Sequence, residues 1–197
     1  MSAVPGSEPP LRLAVAFVNT YDLLESPPDA LSVPRAGALA RHFGFTDLAD
    51  RLTAHDDGAS LDRLRSLRGR LYQVFSAGTP GATVDALNAA LDRRALRMRA
   101  QLNPDGTVRI SAVYAAADAD PVGELTALLT DAMAHAMAVG GPERFGTCVA
   151  DPCRCAYVDR TRAGRQRFCC QLCNDRMAAA AYRTRRAASS SSTSSTR

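Results

Sequence analysis

The sequence predicts an α+β fold in two units: a mostly helical N-terminal domain with a small antiparallel sheet, then a short C-terminal module ending in a basic helix. Three observations carry this. Apolar residues recur at helical spacing through much of residues 35–139, interrupted by one alternating stretch at Thr107–Tyr114. All six cysteines lie between Cys148 and Cys173. Charge divides the same way. Residues 144–197 hold eleven arginines against Asp151, Asp159 and Asp175, a net of +8, which leaves −4 on the preceding 143 residues within a total of +4.

At 197 residues and 46% hydrophobic, the chain has room for one full-sized domain and a small module. No apolar run approaches the roughly 18 residues that a transmembrane helix needs. The apolar segment Leu11–Val18 is short and follows a leader without basic residues, so a signal peptide is not expected. The expected compartment is the cytoplasm, where thiols stay reduced and clustered cysteines favour metal over disulfides. The chain has no Lys, and its basic charge is all Arg. A GC-rich genome produces that bias, but an acidic body with a basic tail module also points to a polyanionic partner.

Residues 1–10 read as a disordered leader. Leu11–Val18 reads as a strand, ended by Asn19-Thr20. Pro27-Pro28 and Pro34 mark a loop, followed by helices over Arg35–Phe43 and Thr46 to about Ala54. Leu61, Leu64, Leu67, Leu71, Val74 and Phe75 define an amphipathic helix that Gly78-Thr79-Pro80-Gly81 ends. Thr83 is placed to cap a further helix running to about Leu102, with Val84, Leu87, Leu91 and Met98 inside. Asn103-Pro104-Asp105-Gly106 is a turn. The stretch after it alternates Val108, Ile110, Ala112 and Tyr114 on one face, a half-buried strand in a hairpin whose first arm lies around Leu102. Asp120-Pro121 supplies an N-cap and a first-turn Pro for a helix to about Val139, which buries Leu125, Leu128, Leu129, Ala132 and Met133. Gly140-Gly141-Pro142 closes it as a hinge. The body is therefore residues 11–140, the module 144–187, and the Ser/Thr-rich residues 188–197 a disordered tail.

The module has too few large apolar residues to fold on a core of its own, and such modules usually need a metal. Its cysteines read C-V-A-D-P-C-R-C, then thirteen residues, then C-C-Q-L-C. Two close cysteine groups joined by an arginine-rich loop have the form of a four-thiolate zinc site, a knuckle or treble-clef-like module holding one structural Zn2+. Six thiols compete for four positions. The first pair is most simply Cys148 and Cys153, with Cys155 the rival to Cys153. The second is Cys169/Cys173 or Cys170/Cys173, and spacing alone favours the C-x2-C of the latter.

The segment from Phe145 through Arg186 resembles the CGNR zinc fingers. Tyr157-Val158-Asp159-Arg160-Thr161-Arg162 matches the family's middle segment, Arg167-Phe168-Cys169 stands where the family has Arg-Trp-Cys, and Cys173-Asn174-Asp175-Arg176 takes the place of the name motif. The resemblance implies Cys148, Cys153, Cys169 and Cys173 as ligands, with Cys155 and Cys170 spare. It departs at the Gly and Asn of the signature. Asn174 is suited to φ > 0, so a Gly-like turn there is expected to survive. Asp175 puts an acid beside the binding surface. The body, through L-R-L-A-V-A-F-V-N-T-Y-D-L-L, resembles the ABATE domain that precedes this finger, which implies a stress-linked transcriptional regulator of bacteria.

Beyond Cys173 the chain is rich in Ala and Arg, good helix formers. Arg176, Arg183 and Arg186 fall near one helical face with Arg185 at its flank, while Arg160, Arg162, Arg165 and Arg167 line the loop before the second cysteine pair. Arginines held this way suit phosphates and guanine edges, so double-stranded DNA is the expected partner. The expectation is a zinc-dependent regulator whose body senses a signal or forms a homodimer. The alternative is a thiol and zinc redox switch acting through protein contacts, with Cys155 and Cys170 as spare thiols. An enzyme is not expected: His42, His55 and His135 sit on separate segments without partners in sequence, and there is no phosphate-cradling Gly loop.

Overall fold

The structure, a computed structural model, describes residues 8–91, 96–102, 106, 108–114 and 120–192, of which 96–99, 101, 109–114 and 187–192 as backbone. The described residues hold seven α-helices, a two-stranded hairpin, a short 3-10 turn at Pro142–Arg144 and a second, shorter hairpin.

The first helix, α1 (Pro9–Val18), falls where the sequence predicts a strand and the end of a leader. Pro9 and Pro10 occupy its first turn, where a missing N–H costs no hydrogen bond. Leu11, Leu13, Ala14, Phe17 and Val18 are all buried, because α1 packs against several other elements and needs no polar face there. A short apolar run surrounded on several sides reads alike as strand or helix.

Beside α1 stand α2 (Val33–His42) and α4 (Gly58–Ser76), while α3 (Thr46–Ala54) packs on α2. Ser32 caps α2 by accepting from the Arg35 N–H at 3.1 Å, and Asp57 caps α4 from the Ser60 N–H at 2.7 Å. The expected α4 stripe is the one observed, with Leu64, Leu67, Leu71, Val74 and Phe75 buried and Leu61 packed beside them.

The next helix, α5 (Pro80–Leu91), differs from expectation at both ends. Thr79 takes the capping role, accepting from the Ala82 N–H at 3.3 Å, whereas Thr83 is buried inside the helix with its hydroxyl donating to the Thr79 carbonyl. The helix does not reach Leu102, because Leu96–Leu102 is a strand, β1, pairing antiparallel with β2 (Val108–Tyr114). The register from Leu96↔Tyr114 to Leu102↔Val108 makes Met98 a strand residue, and Gly106 turns the hairpin at φ +82°. Residues 103–105 of the expected turn lie outside the described residues.

Helix α6 (Pro121–Gly140) buries Leu125, Leu129, Ala132 and Met133 as expected, while Leu128, expected with them, is only half-buried against the core. Asp120 sits at the N-cap, but its carboxylate pairs with Arg63 instead of a backbone N–H of the helix. The segment expected to be a hinge is a packed corner. Gly141 closes α6 at φ +91°, and the chain re-enters the same core at Phe145, whose ring lies 5.4 Å from that of Phe75. From there β3 (Phe145–Thr147) pairs with β4 (Ala156–Val158), and the chain ends in α7 (Gln171–Ser192). Ala188–Ser192, expected in a disordered tail, continue the backbone of α7. Residues 1–7 and 193–197 lie outside the described residues.

The loop between α1 and α2 is pinned to α4 by Arg68, which donates to both carboxylate oxygens of Asp29 at 2.6 and 2.9 Å. That pairing, helped by the Leu31 N–H, outweighs burial and holds the Asp29 carboxyl at about 2, below the ordinary 3.8. A carboxyl lowered on folding stabilises fully above its unfolded pKa, and loses that contribution as the pH falls from about 4 towards about 2. Asp29→Asn is expected to cost about 1–2 kcal/mol at neutral pH, a value discounted because the side chain is 33% exposed. Urea unfolding at neutral pH and near the folded pKa checks this: the difference between wild type and variant should shrink in acid, and equal losses at both refute the pairing.

Candidate metal centre and basic surface

The centre is built on the β3–β4 hairpin. Its strands pair Phe145↔Val158, Gly146↔Tyr157 and Thr147↔Ala156. A Cβ at residue 146 would lie 2.8 Å from the Tyr157 hydroxyl oxygen, so glycine there lets the tyrosine ring cross the neighbouring strand. The Tyr157 hydroxyl then donates to the Gln166 carbonyl at 2.6 Å. Immediately past β3, the Cys148 N–H donates to the Cys155 carbonyl at 2.9 Å and closes the loop that carries Cys153.

The second cysteine pair arrives from the other side, Cys169 just before α7 and Cys173 in its first turn. Cys169 is half-buried with its sulfur turned to that of Cys173, whereas Cys170, beside it, is exposed. The Sγ atoms of Cys148, Cys153, Cys169 and Cys173 all lie within 4.8 Å of one another. Cys153 and Cys173 each stand 3.7 Å from Cys169. A tetrahedral zinc with bonds of about 2.3 Å has sulfur–sulfur edges of about 3.8 Å, so the spacing fits that ion. Cys155, the rival to Cys153, groups instead with Asp22 and Cys153. The resemblance and the geometry therefore agree on one ligand set, and the spacing preference for Cys170 is overturned.

Electrostatics fits the same ion. Burial first, then the nearby thiols of Cys153 and Cys148, pushes Cys173 up to about 12. Burial and the sulfurs of Cys153, Cys173 and Cys148 push Cys169 up as well. Burial works against the Cys148 thiolate too, but hydrogen bonds from Cys169 and the Ala150 backbone outweigh it and lower that thiol instead. The four thiols therefore do not ionise alike, and a divalent cation among them would favour all four thiolates. The four cysteines thus form a closed site compatible with one structural zinc.

Around the centre, Asp159 organises the basic loop. It is buried, and its carboxylate accepts from the Thr161 N–H at 2.7 Å, the Thr161 hydroxyl at 2.6 Å and the Gln166 N–H at 2.8 Å. Burial works against its charge, but these bonds and the Arg144 guanidinium at 4.0 Å hold its pKa below the usual carboxylate range. The loop so closed presents Arg160, Arg162 and Arg165 to solvent, while Arg167 lies with its guanidinium 5.8 Å from the centre of the Phe168 ring.

On α7 the arginines divide. Arg176 is half-buried and donates to the Ala150 carbonyl at 2.9 Å, tying the helix to the knuckle, while Arg183, Arg185 and Arg186 are exposed. At about 100° per residue Arg183 and Arg186 share a face, and Arg185 falls about 180° from Arg176. Asn174 lies in α7, its N–H bonded to the Cys170 carbonyl at 3.3 Å, so the expected Gly-like turn does not form there. Asp175 accepts from the Gln171 side chain one turn earlier.

Sequence reasoning left Asn19 without a firm role. The structure makes it the clasp between body and finger: its amide nitrogen donates to the Ala156 carbonyl at 2.9 Å and its oxygen accepts from the Ala156 N–H at 2.7 Å. Thr20, beside it, is buried, donating to the Phe17 carbonyl and accepting from Arg68. No signal in one sequence links residue 19 to residue 156. Asp159, Tyr157 and Gly146 stood inside the recognised motif, where spacing names residues without giving their work.

Two outcomes follow. Cys153→Ser or Cys173→Ser should abolish zinc content, measured by metal analysis of the purified chain, while Cys170→Ser retains one zinc; loss of zinc in Cys170→Ser would sink the ligand assignment. Asn19→Ala strands both polar atoms of the buried Ala156 peptide and is expected to cost about 1–3 kcal/mol. Amide exchange at Ala156 should quicken in that variant while zinc stays bound, and unchanged protection would remove the clasp.

Comparison with known families agrees with the geometry. A CGNR zinc finger model matches residues 144–186. The ABATE model, described as "Putative stress-induced transcription regulator", matches residues 11–142, about two thirds of the chain. No curated protein matches the chain. The chain belongs to the ABATE family and carries a CGNR zinc finger at its C-terminal end.

Proposed function

We propose that this chain is a transcription regulator that binds duplex DNA through its zinc finger. The observation that carries the reading is the placement of two arginine groups on one small scaffold. Arg160, Arg162 and Arg165 sit on a loop closed by Asp159, and Arg183, Arg185 and Arg186 are exposed on a helix whose first turn is fixed by Cys173. Fixed cations lose little entropy on meeting phosphates, and guanidinium groups also read guanine edges. Arg176 serves the scaffold as well as the surface, since it holds the knuckle. In this reading the zinc is structural, the body senses a signal or dimerises, and no residue is assigned a catalytic part.

Arg183→Glu/Arg186→Glu is expected to weaken duplex binding by two or more orders of magnitude and to flatten the dependence of log K on log salt, since each lost phosphate contact removes about 0.9 from the slope. Zinc content and unfolding should stay as in wild type. Fluorescence anisotropy with random and genomic duplexes measures both, and undiminished affinity would sink the assigned face.

A second reading, redox control through the finger, rests on Cys170, which is exposed with its Sγ 3.8 Å from that of Cys169. Peroxide-driven zinc release that disappears in Cys155→Ser/Cys170→Ser would favour it. Release that persists would leave those thiols without a special part.

A further inference from the structure

A cavity of about 300 Å3 lies where body and finger meet, between the end of α1, the loop after it, α4 and the zinc knuckle. Its size is at the lower end of the roughly 300–1,000 Å3 of small-molecule sites. Val18 closes its base, Tyr72 forms one wall, and Tyr21 and Leu23 stand at its rim 48% and 42% exposed. Large apolar side chains left in water around a concave surface are what a ligand with an apolar body would cover.

The remaining lining residues define the rest of the ligand. Gly69 lies in the middle of the 19-residue α4, where glycine is among the least favoured residues. A Cβ built there meets no atom within 4 Å, so no close contact demands the glycine, and the missing side chain is cavity space. Arg68 supplies a rigid polar wall, not a free charge. Its side chain is only 11% exposed, paired to Asp29 and Thr20, with its guanidinium 5.6 Å from the centre of the Tyr21 ring. Arg154 is different: 55% exposed, it pairs among the described residues with Asp151 at 3.7 Å, itself 85% exposed and solvated. A surface ion pair of that kind is weak and readily exchanged for another anion.

We infer that this cavity binds a small carboxylic acid with an apolar or aromatic body, the body lying over Gly69 between Tyr21 and Tyr72 and the carboxylate meeting Arg154. Occupancy reaches the zinc knuckle directly. Arg154 stands between the ligand Cys153 and Cys155, and its carbonyl accepts from the Tyr72 hydroxyl at 3.2 Å. The inference gives the sensing role of the body a chemical class, and it rests on the cavity independently of DNA binding.

The test uses the zinc-loaded full chain without DNA, so failure here leaves the DNA reading untouched and a chain that ignores DNA still reports on the cavity. Phenylacetate, indole-3-acetate and hexanoate are titrated by calorimetry and amide NMR, each against its neutral amide. At least one acid should saturate below about 10 mM and bind about tenfold tighter than its amide. Arg154→Gln should erase the preference for the acid. Gly69→Leu, which fills the space and improves the helix, should abolish binding with Tm unchanged or raised and zinc retained. The bound acid should also slow zinc transfer to a chelator. No saturation by any of the three acids, full binding in Gly69→Leu, or an unchanged acid preference in Arg154→Gln would overturn the site. Unchanged zinc transfer with a bound acid would overturn the link to the knuckle.

Discussion

Four sulfurs within 4.8 Å of one another cannot all carry charge unless a cation lies between them, and the C-terminal part of this chain is arranged around that requirement. Cys148 and Cys153 come from a loop tied at its neck, while Cys169 and Cys173 come from the start of a helix. An ion held there would join two stretches that are also tied by the Val149 N–H to the Arg167 carbonyl and by Arg176 to the Ala150 carbonyl. Phe168, Met177 and Ala150 pack around the sulfurs as a small second core. Without the ion, that core is a handful of side chains around mutually disfavoured thiolates, too little to order some forty residues.

The finger nevertheless does not stand on zinc alone. Phe145 and Ala156 belong to the core of the body, and Asn19 holds the peptide of Ala156 from both sides. The hairpin is thus shared, with one face closing the body and its outer end carrying the knuckle. The finger's attitude is then set by packing against α1 and α4, and a ligand or a mutation at that seam acts on the finger without touching a cysteine. Arg154 makes the point in a single residue: its carbonyl is held by the body, its side chain borders the cavity, and its neighbour binds the ion.

Much of this was legible in the sequence where one local pattern sufficed. The α4 stripe, the β2 strand, the Gly106 turn and most of the α6 core face follow from periodicity and turn chemistry, and the cysteine spacing pointed to a four-thiolate centre. But Val108, expected on the buried face of β2, is 64% exposed. Failures fell where distant partners decide. Leu11–Val18 is helical because other elements surround it. Leu96–Leu102 is extended because β2 supplies its ladder. Cys169 prevails over Cys170 because its sulfur is brought within 3.7 Å of both Cys153 and Cys173, a meeting of separate segments that spacing does not encode. Asn19 was visible as a residue but not as a clasp, since its partner lies 137 positions away.

That separation also bears on the order in which the protein is made. Asn19 leaves the ribosome well before the strand it holds, 137 positions later. Until then the end of α1 keeps an unfilled socket, with Val18 and Phe75 short of their final neighbours and the Asn19 amide turned to water. Contacts of such long range form late, after the local helices. A nascent chain halted before residue 156 would therefore lack the strand that closes this seam, and the metal-ligating set would be complete only once Cys173 follows.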